Sequence, residues 1–317
     1  MSMQHIILCP GQGAQAACMG RAWFEQSSAS KAVFEEADRV LGSTLGAPLS
    51  EICFNGPAQR INQTDVSQPA IYTVSVACWR GLLQKRGDLP LRAAAGLSLG
   101  EYTALHIASV FDFATGLKLV AQRGRLMQDA AVASKGGMVA LIGADDDQAQ
   151  AVCDKAAQGE ALVCANFNAP GQIVLSGAAT ACERAVAAAS ELGLKATPLT
   201  VAGAFHSPLM QPAADKMAAV LSGVSLQKPA CEVWSNVTAA PHNADNWDAA
   251  NGGGAELLKA RLVQQIISPV KWSQTCSALA FGDQIEYHEL APGTVLRGLM
   301  RRIDRNRKVT NHDQPQE

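Results

Sequence analysis

The segment Ala93-Ala94-Ala95-Gly96-Leu97-Ser98-Leu99-Gly100-Glu101 constrains the fold of this chain more than any other. An apolar run ends in a serine framed by glycines two positions before it and two after it. Such a frame suits a strand that turns abruptly into a helix, where backbone passes so close to backbone that a Cβ at either framing position would collide. The turning residue is driven outward at the head of the helix, where aligned peptide dipoles favour negative charge. The pattern predicts a nucleophile elbow and, with it, an α/β fold. A plain tight turn would use the same residues, so the reading depends on partners for Ser98.

The bulk of the sequence permits that fold. With 317 residues, 48% hydrophobic and 17% charged, the chain can bury a large core, and disorder is not expected. A net charge of -2 excludes the basic footprint of a nucleic-acid binder. Aromatic residues, at 5%, are too few for a base-stacking platform. The nine cysteines include no Cys-x-x-Cys pair, which predicts reduced thiols in a cytoplasmic protein and no metal centre. The opening MSMQHIILCPGQG lacks a basic region and reads as a first strand rather than a targeting signal, and no stretch is long enough to span a membrane.

Read along the chain, strands are expected at 6–9 and 93–95, and helices at 23–41, 68–84, 101–109 and 115–131. The glycine-rich turn at Gly11-Gln12-Gly13 has neither the lysine of a P-loop nor a dinucleotide fingerprint. From residue 138 the pattern changes to strand, helix, strand, strand, helix, strand, ending at Val201, with a turn at Asn168-Ala169-Pro170-Gly171. That order is ferredoxin-like. We expect a small subdomain over 135–202 inserted into a large hydrolase-like α/β domain with a parallel sheet, built from 1–134 and 203–317. The large domain should resume with a strand at 234–237, a helix at 256–266 and a strand at 285–290, and the polar tail from Asn306 should be mobile.

A serine hydroxyl needs a base to take its proton. Of six histidines, His5 sits at the edge of the first strand and His312 in the tail. His106 lies eight residues past Ser98 on one helix, ~12 Å along its axis and out of reach. His206, His242 and His288 remain. His206, in Gly203-Ala204-Phe205-His206-Ser207-Pro208, falls where the chain leaves the small subdomain, a natural cleft wall. His242 lies in a loop of ordinary polar composition, and His288 sits within a strand. The N–H of Leu99, following the serine, is one oxyanion donor by the geometry of an elbow; the Gly11-Gln12-Gly13 turn could supply a second.

With these segments in order, the chain resembles the acyltransferase family of fatty acid and polyketide synthesis, the malonyl-CoA:acyl carrier protein transacylases among them. The resemblance is carried by Pro10-Gly11-Gln12-Gly13-Ala14-Gln15, Gly96-Leu97-Ser98-Leu99-Gly100-Glu101, Gln122-Arg123-Gly124, Asn166-Phe167-Asn168, Gly203-Ala204-Phe205-His206-Ser207, Ser235-Asn236-Val237-Thr238 and the Gln265 to Val270 segment with Trp272. Each is short; their common order is specific. The resemblance implies that Ser98 attacks a thioester, that His206 serves as base and then acid, and that the N–H groups of Gln12 and Leu99 hold the oxyanion. It implies Arg123 on the malonyl carboxylate, a geometry that a guanidinium fits and a lysine does not. Gln265, Phe205 and Asn166 would stand at the substrate, with a backbone carbonyl at Gln265 orienting the imidazole. Phe205 and Leu99 favour malonyl over methylmalonyl, and Arg123 disfavours acetyl.

The resemblance further implies malonyl-CoA and acyl carrier protein as partners, no metal or redox cofactor, and a monomer. Leu97 departs from the family's usual histidine before the serine, Ala291-Pro292-Gly293 departs from its late Gly-Pro-Gly, and 243–254 is longer than usual. A serine hydrolase would share the elbow but leave Arg123 without a role, and a degenerate docking module would not need Ser98, Arg123 and His206 together. The basic run from Arg297 to Lys308 reads as a solvated helix end.

Overall fold

A computed structural model describes residues 3–242, 247, 253–279, 282 and 284–315. Most of the long 243–254 stretch lies outside the described residues.

Two sheets organise the chain. The larger has five strands: β1 (Gln4–Cys9), β2 (Leu91–Gly96), β7 (Glu232–Trp234), β8 (Ile285–Leu290) and β9 (Val309–His312), in the order β7-β2-β1-β8-β9. Every pairing in it is parallel. Parallel strands are covered on both faces and therefore read as unbroken apolar runs, which explains Ile6-Ile7-Leu8-Cys9. Ile7 and Cys9 enter one core, with Ala94 of β2; Ile6 and Leu8 enter another on the opposite face, with Ala93 and Ala95. The Thr64–Arg86 helix is buried on all sides from Val66 to Trp79, within the first core.

The smaller sheet is antiparallel: β3 (Gly136–Ile142), β4 (Leu162–Ala169), β5 (Gln172–Ala178) and β6 (Lys195–Pro198), ordered β4-β5-β3-β6. The Asp146–Ala157 and Ala179–Glu191 helices close its core. The first begins with a capping box, the Asp145 and Gln148 side chains each bonding the other's backbone N–H.

The structure differs from the sequence reading in four places. The helix expected over 23–41 is two helices, Arg21–Gln26 and Ser28–Leu41, because Ser27 turns extended and caps the second by accepting from the Ser30 N–H at 3.1 Å. The strand expected to reach Val201 ends at Pro198. The strand expected at 234–237 is Glu232–Trp234; Asn236 has left the sheet to brace the elbow, as described below. The tail expected to be mobile forms β9, paired parallel to β8. Its His312 is buried, and the His312 carbonyl accepts from Trp23 Nε1 at 2.9 Å. In the basic run, Arg301 and Arg302 are exposed, while Arg307 turns inward to the Cys276 carbonyl and pairs with Asp304.

Candidate active site

Ser98, two residues past the end of β2, has a left-handed φ of 54°, a conformation that costs energy in a serine and recurs at functional turns. The glycine frame has the expected cause. A Cβ on Gly96 would lie 1.9 Å from the Gly100 carbonyl carbon, and one on Gly100 would lie 2.1 Å from the Cys9 carbonyl oxygen. Asn236 fixes the turn from the side: its Oδ1 accepts from the Ser98 N–H at 2.6 Å, and its Nδ2 donates to the Gly96 carbonyl at 2.7 Å.

His206 is brought to the serine from the other end of the insertion. Its Nε2 lies 2.8 Å from Ser98 Oγ, and its Nδ1 lies 2.8 Å from the Gln265 carbonyl. A carbonyl only accepts, so Nδ1 carries the proton and Nε2 is left with a lone pair for the serine hydroxyl. Burial, followed by the charge of Arg123, pushes the imidazole pKa down to about 4, so at neutral pH it is in its basic form. Among the described residues the third position is held by this carbonyl and not by an Asp or Glu.

Arg123 is 1% exposed and reaches the serine from the Phe113–Ser134 helix. Nη1 donates to Gln68 Oε1 at 2.7 Å; Nη2 donates to Gln265 Oε1 at 2.8 Å and to Ser98 Oγ at 3.2 Å. Nε has no hydrogen-bond partner, and among the described residues no carboxylate forms an ion pair with this guanidinium. The glycine after it permits the approach, since a Cβ on Gly124 would lie 2.6 Å from the Thr64 carbonyl oxygen.

Behind the serine is a polar layer that the sequence did not reveal. Gln265, fully buried, does not face the cavity. Its Nε2 donates to the Ser98 carbonyl at 3.0 Å and to Glu101 Oε2 at 2.7 Å. Glu101 Oε2 also accepts from the Asn236 N–H at 3.0 Å, and its Oε1 pairs with His242 Nε2 at 2.7 Å. Both Glu101 and His242 are buried, so the loop histidine of polar surroundings is a core partner of the elbow helix. Glu101 could have been found from its place three residues after the serine; His242 and Gln68 carried no signal. The remaining candidate, His288, bonds His5 and His312 at the far end of β1 and β8.

Ser98, His206 and Arg123 open onto a cavity of about 660 Å³. Gln12, Leu99, Phe205 and Asn166 also line it, so seven of the eight expected site residues share one space and Gln265 stands directly behind them. Leu97 lines the same cavity. Asn168, Gln172 and Val174 of the small sheet, with the 199–202 segment, form the facing side. The cavity thus lies between the two sheets.

The sequence pattern of the family described as "Acyl transferase domain" matches residues 6–279. The malonyl CoA-acyl carrier protein transacylase of Salmonella typhimurium is 38% identical over 301 residues, covering 95% of this chain and 93% of that one. The crystal structure of an acyl carrier protein S-malonyltransferase from Vibrio cholerae superposes with a TM-score of 0.87 at 37% identity, covering 98% and 97% of the two chains. A type II polyketide acyl carrier protein in complex with its malonyl-transacylase contains a chain matching at a TM-score of 0.87 and 35% identity, with 98% and 96% covered. By sequence, by fold and by the order of its motifs, this chain belongs to the acyl transferase domain family.

Proposed function

We propose that this protein transfers a malonyl group from malonyl-CoA to the phosphopantetheine thiol of an acyl carrier protein, through an ester on Ser98. The observation that carries the substrate is Arg123: a buried guanidinium that, among the described residues, forms no ion pair with a carboxylate and lies 3.2 Å from the serine oxygen. Burying such a charge unpaired is costly, and a substrate carboxylate supplies the missing partner. The names of the relatives support the same acyl group and acceptor.

In the first half-reaction, Ser98 Oγ attacks the thioester carbonyl while its proton passes to His206 Nε2. The N–H groups of Leu99 and Gln12 hold the oxyanion. The C–S bond breaks, and His206 returns the proton to the coenzyme A sulfur. In the second, His206 takes the carrier thiol's proton, the sulfur attacks the Ser98 ester, and the C–O bond breaks with the proton restored to Ser98. Arg123 offers Nε and Nη2 to the malonyl carboxylate, which displaces the Ser98 contact. Phe205 and Asn166 shape the acyl pocket. Gln265 acts by positioning, its carbonyl on His206 and its amide oxygen on Arg123. The reaction as written needs no cofactor, and we place the protein in the cytoplasm as a monomer. Among the described residues no helix is long and apolar enough to cross a membrane, and the nine thiols are unpaired by disulfides.

The test is intact mass after brief incubation with malonyl-CoA. A gain of one malonyl group in the parent, absent in Ser98→Ala and discharged by holo-acyl carrier protein, is expected. Release of free malonate with no adduct and no carrier would instead make the protein a hydrolase.

A further inference from the structure

A second cluster of ionisable side chains sits at the opposite end of β1 from the Gln12 turn. The parallel register pairs His5 with Glu286 and Ile7 with His288, so His5, Glu286 and His288 meet on one sheet face. His5 Nδ1 lies 3.0 Å from His288 Nε2, and Glu286 Oε2 lies 3.6 Å from the first nitrogen and 3.5 Å from the second. The two rings are buried, while the carboxylate is half exposed and open to solvent. These three atoms form a compact triangle with two nearly equal sides. Ligand atoms about 2.0–2.1 Å from a tetrahedral zinc ion lie roughly 3.3 Å from one another, a value that the observed 3.0, 3.5 and 3.6 Å bracket.

We infer that His5, His288 and Glu286 form a zinc site, with water as the fourth ligand, that fastens β1 to β8 away from the catalytic cavity. A simple imidazole relay accounts for the ring-to-ring contact but not for the carboxylate. Glu286 is too far from either nitrogen for a hydrogen bond, yet equidistant from both, as ligands of one ion are. The outer contacts fit as well. His288 Nδ1 lies 3.0 Å from His312 Nε2; donated there, its N–H leaves Nε2 with a lone pair for the metal. The sequence has no metal-ligand spacing here because the residues come from distant strands joined by sheet register alone.

Tag-free protein, stripped with a chelator and dialysed, is titrated with Zn²⁺. The expected result is one equivalent bound and a thermal midpoint raised by more than about 3 °C. The Glu286→Gln variant is expected to bind at least tenfold more weakly and to lose the shift, with malonyl transfer and the metal-free midpoint unchanged. Co²⁺ in the parent should give the intense visible bands of a tetrahedral nitrogen and oxygen site. No binding by the parent would reduce the cluster to an imidazole relay. Binding that neither Glu286→Gln nor His5→Gln weakens would place the ion elsewhere. Either result overturns the inference.

Discussion

Arg123 Nη2 lies between Ser98 Oγ and Gln265 Oε1, 3.2 Å from one and 2.8 Å from the other, so the residue that would bind the substrate's charge touches the nucleophile itself. On the proposed roles, substrate binding and serine activation would be coupled. In Arg123→Ala, kcat/KM for malonyl-CoA should fall by about 3–4 kcal/mol, roughly 10²–10³-fold, while any activity on acetyl-CoA falls less. Arg123→Lys should restore little, since an ammonium cannot make the fork. Equal losses on both thioesters would remove the carboxylate role.

The acylation rate should have an unusually acid profile. His206 must be neutral to act as base, and its pKa of about 4 lies well below the ordinary 6.5. Single-turnover acylation should hold nearly constant from pH ~8 to ~5 and fall about tenfold per unit only below the lowered pKa. A midpoint near the ordinary value would show that the imidazole is better solvated than its burial implies.

Fold stability should respond over a different window. His106 and His206 are held near 4, His288 near 3 and His312 near 4, each chiefly by burial. In the unfolded chain these rings take up protons near the ordinary 6.5, so between there and about 4 the unfolded state binds more protons. Stability is thus full above the ordinary value and is lost as pH falls through that range. Urea unfolding of metal-free protein at pH ~7.5 and ~5.5 should show a lower midpoint at the acid value.

Glu101 holds Gln265, Asn236 and His242 at once. Glu101→Leu removes the shared acceptor from the Asn236 N–H and the Gln265 amide, which should cost about 1–3 kcal/mol of stability. Because Gln265 supports both His206 and Arg123, kcat should drop about 10- to 100-fold with KM changing little. A rise in KM alone would mean that the layer tunes binding only.

Removal of residues 309–317 deletes β9. It exposes the β8 edge, strips Trp23 Nε1 of its acceptor and leaves Cys78 without its contact to the His312 carbonyl. Unfolding by denaturant should show a loss of at least about 2 kcal/mol. An unchanged midpoint would return this segment to the status of a mobile tail.

Much of this protein was legible in one dimension because local sterics and periodicity fixed it. The elbow was readable because only glycine fits where backbone meets backbone, at Gly96 and Gly100. The apolar runs and helical spacings marked β1, β2, β8 and the long helices, and the strand and helix order marked the small antiparallel sheet. The residues placed at the chemistry came from motifs, and they line or back one cavity. What the sequence could not determine was pairing across distance. His242 in a polar loop and Glu101 on the elbow helix are 141 positions apart, and only the folded chain makes them a buried pair. The polar VTNH of β9 becomes a strand because β8 offers an open edge and Trp23 covers its end. His5, Glu286 and His288 carry no signal in order along the chain; parallel register alone converts them into one triangle of ligand atoms. Steric rules act between neighbours and are written locally, whereas hydrogen-bond partners and ligand geometry belong to the tertiary structure.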